Sequence, residues 1–575
     1  MILQQAPASA HLFGKSSSTQ ITVTTFPIII KSISTKVDPS TGQWSLYLPP
    51  TASTNIPFNI SITSSTDSIT LTDIYFGEVW ICGGQSNMAL TLSGVGAGKQ
   101  GHLPATSWSG VVTDGQQEIR NSTKYPLIRI KQQGASSSCL KCVHFLDRQR
   151  CSCNQEQTDT SASSRWSIPS PTTISSFSAT CWMFGRRLHT TLNNVPLGLI
   201  EIAVGGTSVE LWSSSNALSK CNQQRTNRMA TCQDPSNSSM RTETTYTNST
   251  LFNMMTAPYM KMAVQGIVWY QGESNVACNS KWPYFQGKNC AMNPIQCSNY
   301  YACQFSAMID DYRERLSKPW KNTNKNVSFV FVQLPAYIED LESVSYGGIN
   351  DTSLPLQRLA QAKAVAANKS SFNRMVSIVD RGWLSSHYGS IHPMDKTPVG
   401  QRLMLGALEV AYPNYKDNKK NKKIRSNGPI VANVSTINES TLLVTFINLG
   451  ANGLLLRTSG SVRQVCPVGE KQTTVLPVKP TTGVPIQQCG SPSGFEVTFD
   501  GDGKDGVDRY WIAVENISLF IGNNGVLLHN IDGANRVTGV RYLFSDWPIV
   551  TVYDAESFLG VNGQLPAAPF EILMS

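Results

Sequence analysis

The chain has 575 residues, 40% of them hydrophobic and only 15% charged, with a formal net charge of +9. The length exceeds one ordinary domain and allows a large buried core, so two or three domains are expected. The positive balance does not mark a nucleic-acid binder: six cations and one anion fall in the run KDNKKNKKIR (416–425), which reads as a solvated linker with no aromatic-interleaved basic motif beside it.

In chain order, residues 1–70 read as an N-terminal β domain. The alternating runs ITVTTF (21–26), WSLYL (44–48) and FNISI (58–62) are separated by Pro, Gly and Ser clusters. From Asp73 the rhythm changes. IYFGEVWIC (74–82), LGLIEIAV (197–204), AVQGIVWY (263–270), VSFVFVQL (327–334) and MVSIVD (375–380) are near-continuous apolar runs, as in strands buried on both faces of a parallel sheet. Helical spacing lies between them. Phe305, Met308, Ile309, Tyr312 and Leu316 mark one face, and Thr397-Pro398 opens a helix with Leu403, Ala407 and Leu408 inward. Residues 71–415 are therefore expected to form an α/β catalytic domain: a doubly wound, parallel, five-stranded sheet flanked by helices. The Ser-, Gly- and Cys-rich segments 90–166 and 221–250 read as inserted loops, 416–428 as a basic linker, and 429–575 as a C-terminal, sandwich-like β domain carrying TLLVTF, FEVTF, RYWIAV and VRYLF.

Fourteen cysteines point to an oxidising compartment, and N-x-S/T sequons at Asn59, Asn121, Asn237, Asn248, Asn326, Asn350, Asn368, Asn433, Asn438 and Asn516 agree with it. For Cys139, Cys142, Cys151 and Cys153 disulfides are the preferred reading over a zinc site with His144, while Cys82 and Cys181 read as buried thiols. No metal and no cofactor are expected. The opening MILQQAPASAHLFG has no signal-peptide pattern, and no segment is apolar enough to span a membrane.

Four strand ends carry chemistry. The first run leads into Gly83-Gly84-Gln85-Ser86-Asn87-Met88, the second into Gly205-Gly206-Thr207-Ser208, the third into Gln271-Gly272-Glu273-Ser274-Asn275, and the fifth precedes Gly389-Ser390-Ile391-His392. Ligands bind beyond the carboxyl ends of such strands. A hydroxyl, a glycine pair, amide donors and an imidazole, in this order, are the set that acyl transfer needs.

These blocks resemble the SGNH hydrolases and, within them, the sialate O-acetylesterases. FGEVWICGGQSNM, GLIEIAVGGTSVELW, IVWYQGESN and GSIHPMDKTPVGQRL carry the likeness, extended by MILQQAP, FSATCWMFGRRL, VRYLFSDWPIV and LPAAPF. The resemblance implies hydrolysis of O-acetyl esters of sialic acids, with Ser86 as nucleophile and His392 as base, in a secreted or lysosomal glycoprotein whose signal and first strand this sequence lacks. The partners implied are an O-acetylated sialic acid or other acetylated glycan and water, with no nucleic acid and no membrane insertion. The expected oxyanion donors are the Ser86 and Gly206 N–H groups and a side-chain amide, Gln271 preferred over Asn275 as nearer the strand end. Gly389 stands where many relatives carry the triad aspartate. Asp380, Asp395 or the Ser390 carbonyl remain as groups to orient His392, and Asp395 reads more readily as a helix cap. Gln85, Trp212 and Glu273 are candidate substrate contacts, Glu273 alternatively a structural acid. Trp269 and Trp383 are candidate sugar-stacking rings, core packing being at least as good a reading for Trp269. His387 reads as an ordinary loop histidine. An acetylxylan or other polysaccharide deacetylase, and a catalytically inactive glycan-binding protein, are the competing readings.

Overall fold

The computed structural model describes residues 1–94, 113–134, 139–145, 148–158, 164–221, 244–276, 294–321, 323, 326–337, 353–367, 370–382, 386, 391–417, 422–457, 493–499, 511–544, 548, 550–556 and 564–574. At its centre is a parallel sheet of β1 (Ser68–Gly84), β2 (Ile128–Gln132), β3 (Leu197–Ala203), β4 (Gly266–Tyr270), β5 (Ser328–Gln333) and β6 (Asn373–Ser377). Their spatial order is β2-β3-β1-β4-β5-β6. Five of these strands overlap the five expected runs. The sixth, β2, lies in the segment read as an insert. It is short, and Arg129 and Lys131 interrupt its apolar side chains, so it lacks the signature of a doubly buried strand.

Successive residues of one strand point to opposite faces, and both faces are covered. Trp80, Cys82, Val268 and Val330 pack under α2 (Ala179–Thr191) and α5 (Thr397–Ala411). Val79, Ile81, Ile267 and Phe329 pack under α3 (Pro294–Leu316) and α4 (Ser353–Ala367). The helical spacing read from the sequence holds: Phe305, Met308, Ile309, Tyr312 and Leu316 are all at most 1% exposed.

β1 belongs to two sheets. Its first half pairs antiparallel with Phe58–Thr63 in the N-terminal β region, and its second half runs parallel between β3 and β4. The strand runs through residue 70, where a domain boundary was expected, and Ile2–Gln4 adds a short parallel strand beside Tyr75–Gly77. The inserts are not plain loops either. Lys141–Phe145 and Arg148–Ser152 form a hairpin that Thr244–Tyr246, from the other insert, extends.

Beyond α5 the chain turns to antiparallel strands. One four-stranded sheet contains Ile430–Asn438, Thr441–Ile447, Gly525–His529 and Asn516–Leu519; the other contains Phe495–Phe499, Val537–Tyr542, Phe570–Leu573 and Ile512–Ala513. A single apolar cluster includes residues of both, and Val379, just past β6, is part of it. The basic run is fastened rather than merely solvated. Lys416–Asp417 pairs with Lys422–Lys423, Arg425 meets Asp554 at 2.8 Å, and Lys422 meets Glu556 at 2.6 Å. Buried acids on the C-terminal region, separated by over 120 residues in sequence, hold cations that read locally as a free charge run.

Cys82 and Cys181 are not thiols but a disulfide between β1 and α2; Cys139–Cys153 and Cys221–Cys303 are also bonded. Strand and helix bring Cys82 and Cys181 together from positions 99 residues apart, which sequence spacing does not reveal. Both are fully buried. Closing so long a loop restricts the unfolded chain, so Cys82→Ala/Cys181→Ala should lose about 3–5 kcal/mol in denaturant unfolding; a loss below about 1 kcal/mol, within ordinary surface-mutation scatter, would refute the contribution.

Candidate active site

The strand order reverses on either side of β1, so the carboxyl end of β1 is a topological switch point, where such sheets hold ligands. Ser86 stands there as the first residue of a four-residue helix, α1 (Ser86–Ala89). The turn is tight. Gly84 has φ +142°, and a Cβ on it would lie 2.1 Å from the Tyr270 carbonyl oxygen. The Gln85 N–H donates to that same carbonyl at 3.0 Å.

Residues at the start of α2 hold the turn from the other side. The Thr180 hydroxyl donates to the Asn87 carbonyl at 2.8 Å, the Ser178 hydroxyl donates to the Met88 carbonyl, and Cys181 is bonded to Cys82. The block FSATC thus clamps the Ser86 turn, a role that its sequence alone does not declare.

His392 Nε2 lies 2.8 Å from Ser86 Oγ, across 306 positions of sequence. The Ser386 hydroxyl donates to the His392 carbonyl at 2.7 Å. Gly206, with φ +71°, is exposed, and its N–H and that of Ser86 meet no acceptor among the described residues.

The amides sort differently from the expectation. Gln271 is fully buried, and its Nε2 donates to the Thr207 carbonyl at 3.2 Å and to Asn275 Oδ1 at 2.6 Å. Both its hydrogens are committed to tying the second block to the third. Asn275 is only partly buried; its Oδ1 also accepts from the Val209 N–H at 2.9 Å, and its Nδ2 donates to Glu210 at 3.0 Å. Asn275 therefore retains a second amide hydrogen for a ligand, and proximity to the strand end proves a poor guide.

The three candidate substrate contacts are all buried. Gln85 is buried and its carbonyl oxygen accepts from the Ser274 N–H at 3.2 Å, joining the first block to the third. Trp212 is fully buried, donating to Thr207 Oγ1 at 2.9 Å with its ring edge-on to Trp269. Trp269 is likewise core. Glu273 is buried and accepts from Asn87 Nδ2 at 2.7 Å, the structural role weighed for it. Asp380 does not orient the histidine: its two oxygens take Arg402 at 2.6 and 2.9 Å, and although burial raises its pKa, Arg402 and Arg381 bring it below the usual carboxylate range. Asp395 Oδ1 accepts from the Thr397 N–H at 3.2 Å, one residue before the N-cap position of α5. Ser390, His387, Gly389 and Trp383 lie outside the described residues.

Two residues in the site escaped the sequence reading. Asn87, completely buried, donates to the Ile391 carbonyl at 2.9 Å as well as to Glu273, and Lys396 donates to its Oδ1. Both stood within quoted blocks, Asn87 in FGEVWICGGQSNM and Lys396 in GSIHPMDKTPVGQRL, but a loop lysine is ordinarily solvated and gave no sign of its burial. Burial lowers Lys396 to about 7 and raises Glu273 to about 7, each change opposed by the other's charge.

With this geometry in view, comparison is informative. A family model described as "Carbohydrate esterase, sialic acid-specific acetylesterase" matches residues 149–374. Human sialate O-acetylesterase is 28% identical over 463 residues, covering 77% of this chain and 74% of that protein. The mouse enzyme is 27% identical over 475 residues, with 77% and 76% covered. The chain is thus similar to the sialate O-acetylesterases over 77% of its length. It is a carboxylic ester hydrolase. A carbohydrate acetylesterase from Xanthomonas citri shares the fold, with TM-score 0.65 at 20% identity over 99% of this chain and 96% of that one. The span matched by the family model contains Gly206, Gln271 and Asn275, while Ser86 and His392 flank it.

At the start of α2 lies a further buried acid. Glu201 accepts from the Ser178 N–H at 3.0 Å and from Gln132, and burial raises its pKa to about 8 against the pull of those bonds. Between the ordinary carboxyl value and about 8 the unfolded chain ionises at this position while the folded chain stays protonated. Stability should therefore fall as pH rises through that window, by up to about 1.4 kcal/mol per pH unit, and flatten above it. Glu201→Gln should remove that slope in denaturant midpoints taken from pH 5 to 8; an unchanged slope would show that Glu201 ionises normally.

Proposed function

We propose that the protein is a serine esterase that removes O-acetyl groups from sialic acids, with Ser86 as nucleophile and His392 as general base and acid. The observation that carries this reading is the 2.8 Å approach of His392 Nε2 to Ser86 Oγ at the switch point of the sheet. The family's named substrate supplies the sugar, since the human and mouse relatives are sialate O-acetylesterases.

In the first step His392 Nε2 takes the Ser86 proton, and Oγ bonds to the acetyl carbonyl carbon. The electron pair moves to the carbonyl oxygen, which the Ser86 N–H, the Gly206 N–H and the second hydrogen of the Asn275 amide stabilise. As the carbonyl reforms, the bond to the sugar oxygen breaks and the imidazolium gives that oxygen its proton. In the second step water, deprotonated by His392, attacks the acetyl-serine; acetate leaves and Ser86 regains its proton. The choice of Asn275 over Gln271 follows from hydrogen-bond count: Gln271 has no amide hydrogen to spare.

Disulfides and exposed sequon asparagines at Asn248, Asn433, Asn438 and Asn516 support a secreted or lysosomal glycoprotein. Among the described residues no helix is long and apolar enough to cross a membrane.

Acetate release from 9-O-acetyl sialic acid, measured beside acetylated xylan, tests the substrate; faster turnover of xylan would overturn it. Ser86→Ala should abolish release, and Asn275→Ala should lower kcat by about 10²–10³, the usual cost of one oxyanion donor. An Asn275→Ala enzyme of near-normal kcat would return the role to another donor.

A further inference from the structure

One side chain joins three of the four strand-end blocks of the site. Asn87 follows Ser86 directly, and one of its amide hydrogens goes to the carbonyl of Ile391, the residue before His392. Its other hydrogen goes to Glu273 in the third block, and its oxygen takes the Lys396 ammonium from the turn into α5. The amide has no hydrogen left over, and the side chain is completely shielded from water. Its backbone is fixed too, through the Thr180 hydroxyl on its carbonyl.

The charges at either end of this amide are otherwise hard to account for. Glu273 and Lys396 are both buried, yet they do not touch as an ion pair; Asn87 stands between them. Glu273 Oε2 has no hydrogen-bond partner among the described residues. The Tyr270 ring, 5.5 Å from the Lys396 nitrogen, supplies a further soft contact. Burying two charges costs more than a well-packed apolar pair of similar volume, so stability alone does not favour this arrangement. Orientation does. A carboxylate accepts only and an ammonium donates only, so the two ends determine which way the amide faces. A reversed amide would direct its oxygen at the Ile391 carbonyl and at Glu273.

We propose that Asn87 is the positioning residue for the esterase pair, with Glu273 and Lys396 as the two groups that fix its orientation and, through Ile391, the distance from His392 to Ser86. This inference rests on the assignment of Ser86 and His392 as nucleophile and base. Neither Asn87, Glu273 nor Lys396 touches the reacting atoms. They act by holding the residues on either side of the Ser86–His392 contact in one frame.

The test is a kcat and KM comparison with 4-nitrophenyl acetate on the full chain, with thermal unfolding followed in parallel. A displacement of order 1 Å between reacting groups can cost about 100-fold, so Asn87→Ala should lose about that factor in kcat while KM stays within about twofold. The labelling rate of Ser86 by a fluorophosphonate should fall in parallel. Glu273 provides a second measurement that leaves Asn87 in place. Glu273→Gln keeps an oxygen to accept from Asn87 and should retain most of kcat, whereas Glu273→Ala removes the acceptor and should lose kcat with KM unchanged. Asn87→Ala with near-normal kcat would overturn the proposal. So would Glu273→Gln and Glu273→Ala enzymes of equal kcat, or losses in kcat that merely follow the fraction of unfolded protein. Ser86→Ala separates the two levels: if it remains active, the nucleophile assignment fails, and if it is inactive while Asn87→Ala is not, only the positioning role fails.

Discussion

The site depends on the approach of β1 to β4 at Gly84. With a Cβ at 2.1 Å from the Tyr270 oxygen, no other residue fits without moving a central strand. Because the two backbones come this close, Gln85 bonds to the Tyr270 carbonyl, its side chain reaches the Ser274 N–H, and Ser86 emerges on a short helix at the edge of the sheet. The glycine has no side chain to offer a ligand. It permits the turn that every later contact assumes. The second block then joins the third through Gln271 and Asn275, and the histidine loop joins the first through Asn87.

The site is therefore built mostly from amides and hydroxyls that serve other protein groups. Gln85, Gln271, Asn87, Ser178 and Thr180 are each spent within the protein. A buried polar network of this kind rigidifies when its members are satisfied. Among the described residues few groups of these blocks are left for a ligand: the Ser86 hydroxyl with its imidazole, two N–H groups, and one amide hydrogen of Asn275. Such economy suits an acetyl group, which is small and offers one carbonyl oxygen to stabilise.

Much of this was legible in the sequence, for identifiable reasons. The five doubly buried strands declare themselves because a strand covered on both faces must be apolar throughout, and the faces of α3 and α5 follow from their spacing. A glycine-serine turn alone would say little; Ser86 and His392 stand out because four strand ends together carry the groups of acyl transfer, and the fold brings the two to 2.8 Å. What escaped depends on distance in space. Residue 129 is charged yet sits in a strand, because Asp73 receives it at 2.8 Å. Cys82 and Cys181 read as thiols because each lies in its own apolar run. Gln271 and Asn275 have the same chemistry four residues apart; only the hydrogen-bond count separates them. Trp212 looked like a sugar platform because it follows a site motif, but the same motif turns its ring into the core.

Val379 gives the structure an order in time. It stands just beyond β6, before the loop that carries His392, and it is buried in the C-terminal β cluster rather than in the catalytic core. The next residue, Asp380, is anchored to Arg402 of α5. On the ribosome, Ser86 and its turn emerge early, His392 hundreds of residues later, and the strands that enclose Val379 later still. Ser86 is thus made long before His392 can approach it, and the segment leading to His392 gains its last anchor only when the final β region closes around Val379.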